Sequence, residues 1–292
     1  MGHISAKLAG RFASSGKHRK PIREEAKRIR ESARIPNDVK GIEQLVNEGL
    51  DPLHAAYAAA QHFTAFFSDS LSALDEMEPY CRIVGAAQDE YMPDFPPMSP
   101  VTTSYFTLWA FFDVRFGADL ETIGTCLLDT GSNLGLNDGM LAVTRLFQNT
   151  RMGIYEQSGR DGDKILLREL LTDQMYICHP SAGYFGNEGE LWYVRLCPPI
   201  FDLIDYHVAI TTPYVLLNAS KADWTAYLRK QLIAAGDQRK AFGEFMKYGP
   251  SLNHWNEFIF QGYLHHQPDA IFLTGLPDVK GSLPHASESR EP

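Results

Sequence analysis

RMGIYEQSGRDGDKILLREL (151–170) is the stretch whose reading decides the fold. MGIYEQ and KILLREL are short β-branched or aromatic runs, and SGRDGD (158–163) between them supplies glycine and aspartate, the residues a reversing chain needs. The pair reads as an antiparallel hairpin. Toward the C-terminus the same character returns in QMYICH (174–179), ELWYVRL (190–196) and YHVAITT (206–212), with LTDQ (171–174) and SAGYFGNEGE (181–190) as turns. Pro198-Pro199 ends one run, and Pro213 confines another to a sheet edge. Five closely spaced strands predict a small β-barrel-like or curled antiparallel sheet over 151–217.

The chain before this stretch reads as helical. Asn37 or Asp38 caps a helix that runs to about Glu48 and stops at Gly49. Asp51-Pro52 opens a long alanine-rich helix with an apolar face from Leu53 to Leu74. PDFPPMSP (93–100) is a rigid connector, and Ser99-Pro100 is expected to cap the aromatic helix at 105–112. Asn137 or Asp138 caps DGMLAVTRLFQN. The chain after the strands is also read as helical. Ser220 and Asp223 form a capping box, Gly236 and Gly249 act as stops, and a third helix from Ser251 carries Trp255, Phe258, Ile259 and Tyr263. The expected class is therefore α+β: a helical N-terminal half, the small β-unit, and a helical C-terminal region. The expected divisions are 1–36, 37–150, 151–217, 218–276 and a loose tail at 277–292.

Charge is divided along the chain. The net charge is −9, yet residues 1–40 hold 11 Lys/Arg against 4 Asp/Glu. PIREEAKRIRESAR (21–34) places Arg23, Lys27, Arg30 and Arg34 on one helical face. A basic arm on an acidic body suggests an electrostatic partner, nucleic acid or an acidic protein surface, or else an arm that docks on its own body or serves as a targeting segment. Four phosphate contacts from that face would give a log–log salt slope of about −3.6.

CLLDTGSNLG (126–135) resembles the catalytic loop of aspartic proteases. Those enzymes share one proton between two carboxylates. Asp-Thr-Gly occurs here once, so the resemblance implies a dimeric hydrolase centred on Asp129, Thr130 and Gly131, with Tyr184-Phe185-Gly186-Asn187 as its later segment. Against it, DLETIGTCLLD sets Leu120, Ile123 and Leu127 at helical spacing. That spacing makes Gly131 a helix stop and Asp129 a last-turn residue.

Other chemistry is thinly signalled. Cys81, Cys126, Cys178 and Cys197 match no zinc spacing and are too few for a disulfide scaffold, which suits reduced thiols in a cytoplasmic protein. His54 with His62, and His254 with His265 and His266, lack the intervening ligands a metal needs. There is no phosphate-cradling glycine loop, no G-x-S-x-G and no H-E-x-x-H. No apolar run is long enough for a membrane span. Neither cofactor nor metal is expected. Tyr155, Tyr176, Trp192 and Tyr193 with Arg168 and Arg195 form a candidate aromatic–basic face for a peptide or nucleic acid. The function expected is non-enzymatic binding or scaffolding through the arm and the β-unit. The alternatives are the Asp129 hydrolase and a small-molecule pocket beside the β-unit.

Overall fold

The computed structural model describes residues 1–14, 74–134, 136, 138–199, 204–233 and 237–277, with short pieces at 43–44, 46–49 and 52. Among the described residues are eight α-helices and a closed five-stranded barrel with three further strands, so the α+β class with a small barrel holds. The chain divides into two compact units. One comprises residues 1–86, 107–150 and 199–205; the other comprises 87–106, 151–198 and 206–292. Arg23, Lys27, Arg30 and Arg34, the helix expected after Asp51 and the tail from 278 lie outside the described residues.

The first unit begins with a helix that sequence reading folded into the arm, α1 (His3–Ser14). Ile4 and Leu8, one turn apart, are buried. A tight reversal at 116–121 uses left-handed backbone at Gly117 (φ 73°) and Leu120 (φ 53°) and bridges Phe116 to Glu121. Phe116 and Glu121 form an isolated bridge there and no strand. Asp119 and Glu121 on this reversal receive the free N–H groups of α1: His3 N donates to Asp119 Oδ2 at 2.6 Å and Ile4 N to Glu121 Oε2 at 2.8 Å. Helix starts leave such donors unsatisfied, and a carboxylate also suits the positive end of the helix dipole.

After α2 (Glu78–Tyr91) and α3 (Thr103–Phe112), this unit is completed by α4 (Ile123–Leu134) and α5 (Asp138–Asn149). Helix α1 packs on α4, and α4 on α5. Gln148 of α5 accepts from Thr122 Oγ1 at 3.0 Å and donates to the Phe112 carbonyl at 3.1 Å. The expected cap of α3 moves three residues. Ser99 instead accepts from Asp94 N at 2.7 Å inside the proline turn, and Thr102 sits at the helix start, where its Oγ1 accepts from Tyr105 N at 3.4 Å.

The second unit holds the sheet: β1 (Arg151–Asp161), β2 (Lys164–Glu169), β3 (Met175–Pro180), β4 (Leu191–Cys197), β5 (His207–Ala209) and β6 (Tyr214–Leu217). Strands close in the order β1-β2-β3-β5-β4 and back to β1, with a parallel β3–β5 pair and the other pairs antiparallel. Strand β4 continues the sheet through β6 as well. Its residues Leu191–Tyr193 pair β6, whereas Leu196 and Cys197 pair β5. Between them Arg195 N donates to Thr211 Oγ1 at 3.0 Å, which supplies a partner where the ladder divides.

Helices α6 (Lys221–Leu232), α7 (Gln238–Tyr248) and α8 (His254–Gln261) follow. The capping box forms as read: Ser220 N donates to Asp223 Oδ2 at 2.8 Å, and Asp223 N to Ser220 Oγ at 3.2 Å. Gly249 ends α7 at φ 64°. The third helix stops at Gln261, earlier than expected, and Tyr263, His265 and His266 belong to β7 (Tyr263–Gln267), paired with β8 (Ala270–Thr274). This hairpin joins the sheet by a parallel β6–β8 pair. AIFLT is buried at every position, the pattern of a covered parallel strand, and shows no alternation to mark it.

Burial along β4 explains its uniform apolar character. Trp192, Val194 and Leu196 enter the barrel core with Tyr155, Ile165, Leu167 and Cys178. On the other face Tyr193 stacks on Trp255 of α8, ring centroids 4.9 Å apart.

Candidate functional site: the outer face of β2 and β3

Asp129, Thr130 and Gly131 lie within α4, three to five residues before its end at Leu134. The helix stop expected at Gly131 is corrected: the chain stays helical through it to Leu134, and the glycine faces the Leu136 and Leu141 side chains. A Cβ at Gly131 would stand 2.7 Å from Leu141 Cδ2 and 2.8 Å from Leu136 Cδ1. Thr130 Oγ1 donates to the Cys126 carbonyl at 2.7 Å, a back-bond to its own helix. Asp129 is exposed and lies 3.6 Å from the Met1 amine. A protease-type loop tip is therefore not formed by these residues. Tyr184-Phe185-Gly186-Asn187 is equally occupied with structure: Glu190 accepts from Tyr184 Oη at 3.0 Å, Asn187 Nδ2 at 2.7 Å and Trp192 Nε1 at 3.3 Å, pinning the β3–β4 loop.

The expected aromatic–basic face is not assembled. Tyr155, Trp192, Tyr193 and Arg195 are all buried. Tyr155 packs inside the barrel edge-on to Tyr176 at 5.7 Å, and burial raises its hydroxyl well above the usual phenol range. Alternation decides this outcome. Side chains of one parity fill a small barrel, and β4 is covered on both faces.

Arg168 is the residue of that group that faces solvent. It stands on an outer surface built from the other parity of β2 and β3. Arg168 is directly opposite Met175, and Leu166 opposite Ile177. Leu166 is half-buried, whereas Met175 and Ile177 are 39% and 44% exposed. Glu156 of β1 is the register partner of Arg168, yet its Oε2 accepts from Lys221 Nζ at 2.6 Å. Arg168 is thus left without an acidic partner among the described residues. At the rim, Lys164 donates to Asp163 Oδ1 at 2.9 Å and lies over the Tyr206 ring at 4.3 Å, with His179 beside the same ring.

Sequence reading missed Leu166, Met175 and Ile177 because the binding face was sought among aromatic and basic side chains. Their signal was present: KILL and MYIC are apolar at both parities, which is more than a barrel with one interior can absorb.

Other chemistries find little support among the described residues. Burial pushes the Cys126 and Cys197 thiols up to about 12, so neither is a thiolate at neutral pH. The four cysteines form no disulfide. His254 is buried and shares a 3.1 Å hydrogen bond with Tyr227 Oη, while His265 stacks on Phe272. No group of three metal-ligating side chains occurs among the described residues, and no described helix is long and apolar enough to cross a membrane. No protein family, no curated protein and no solved structure matches the chain.

Proposed function

We propose that the chain is a non-enzymatic binding protein that engages a macromolecular partner through the outer β2–β3 face of its barrel, with the basic arm (Arg23, Lys27, Arg30, Arg34) as a second, electrostatic contact. The observation that carries this reading is the solvent-facing pair Met175 and Ile177 beside Leu166 and Arg168. Apolar side chains clustered on a strand face, rimmed by polar groups, mark interaction surfaces. The barrel type supports the same reading. The β1-β2-β3-β5-β4 closure is similar to that of oligonucleotide/oligosaccharide-binding barrels, which take ligands on the face of their second and third strands. That support is an analogy of fold.

The test is a selection from two random libraries, displayed peptides and single-stranded oligonucleotides, on the full chain. Ligands are expected to be enriched from at least one library and to lose binding to a Met175→Asp/Ile177→Asp double variant. Enrichment of nothing from either library, or equal binding by parent and variant, would overturn the proposal.

A further inference from the structure

Resting on that reading, we infer that the occupant of the β2–β3 face is a polypeptide segment in which an acidic side chain is flanked by aliphatic ones. The chemistry of the four central positions selects it. Leu166, Met175 and Ile177 are aliphatic or thioether side chains with no flat ring among them, and Tyr155, Trp192 and Tyr193 are buried. Base stacking on single strands relies on exposed rings. This face offers instead a surface for Leu, Ile or Val side chains, with Met175 able to adapt its shape.

Charge points the same way. Arg168 stands opposite Met175 with no acidic partner among the described residues, since Lys221 holds Glu156, while Lys164 is already engaged by Asp163. One unneutralised guanidinium suits one carboxylate, which it can bind through two parallel hydrogen bonds. It does not suit a phosphate chain, because a single phosphate contact gives a salt slope of only about −0.9. Along β3, Met175 and Ile177 project on the same side two residues apart. An extended peptide carries its alternate side chains at that same interval, so aliphatic groups on one partner strand can meet both.

The experiment titrates the full chain with three probes: a short capped peptide whose alternate positions are leucine, leucine and glutamate with serine between them, the same peptide with lysine in place of glutamate, and a single-stranded oligothymidylate. The acidic peptide is expected to bind most tightly. Arg168→Glu should weaken it by about tenfold or more, the size of losing a hydrogen bond to a charged group, and should improve the basic peptide. Arg168→Gln should weaken the acidic peptide without favouring the basic one, and all variants should keep the parent's circular dichroism. Equal binding of the two peptides, indifference to Arg168, or preferred binding of the oligothymidylate would each overturn this inference. Those results would still leave a binding face on the barrel. Failure of every probe together with a blank library selection would remove the face itself.

Discussion

Glu121 closes over Ser5 from both sides of that residue: its Oε1 accepts the Ser5 backbone N–H at 2.9 Å and also the Ser5 hydroxyl. Burial works to raise the Glu121 carboxyl, but the Ser5 and Ile4 donors, with Cys126, outweigh it and hold the group below its ordinary value. A side chain 117 positions away from Ile4 thus does the work of a helix cap.

Glu121→Gln should destabilise the first unit by about 1–2 kcal/mol, the usual cost of losing a strong cap. Ser5→Ala should cost less, since the backbone donor remains. Both are read from urea unfolding and from faster amide exchange at residues 3–5. The pH dependence follows from the lowered carboxyl. Its stabilisation is complete above the unfolded-state carboxylate range and is lost as pH falls through the lower folded value. Glu121→Gln should therefore flatten the acid limb of the stability profile, and a parent-like limb would show that another carboxylate governs it.

Gly131→Ala separates a helix stop from a packing position. On an open helix, alanine would stabilise by about 1 kcal/mol. Against Leu136 and Leu141 the added methyl meets two side-chain ends that must shift to admit it, so that gain is expected to be reduced or cancelled. Asp129→Asn should change stability by less than about 0.5 kcal/mol, because its pairing with the Met1 amine is exposed. Thermal and urea unfolding of the two variants would settle the order.

Glu169 is buried and bound by Arg151 Nη2 at 2.8 Å and by Thr172 Oγ1 at 2.7 Å, with the Arg151 guanidinium 5.1 Å from the centre of the Phe242 ring. Glu169→Gln leaves a largely buried cation without its counter-charge and should cost about 3 kcal/mol in urea unfolding. A cost below about 1 kcal/mol would mean that solvent replaces the carboxylate.

Met175→Asp and Ile177→Asp should each lower stability by no more than about 1 kcal/mol, the span of strand preference, because neither side chain belongs to the buried core. Large destabilisation would place these side chains in packing rather than on an interaction surface.

The sequence was most legible where short-range rules act alone. The capping box at Ser220 and Asp223, the Gly249 stop and the β1–β2 hairpin are each decided within a few residues, and each stands where it was read. It was least legible where the deciding partner is remote. Helix α1 depends on Glu121, and β7–β8 depends on β6. Neither partner is visible from local pattern. The site divides similarly. Arg168 was found because it is charged, whereas Leu166, Met175 and Ile177 were hidden among core residues of the same kind. Tyr155, Trp192, Tyr193 and Arg195 were misplaced because residue type was read before strand parity.

Strand β4 belongs to two hydrogen-bonding circuits at once, the ring through β5 and the ribbon through β6. A fragment cut after residue 217, the boundary expected from sequence, would carry β6 with the edge that β8 normally covers laid bare. Such an edge recruits other chains. The natural seam for dissecting this protein therefore lies beyond Thr274, and a trimmed barrel should come out of solution as an aggregate rather than as a smaller working part.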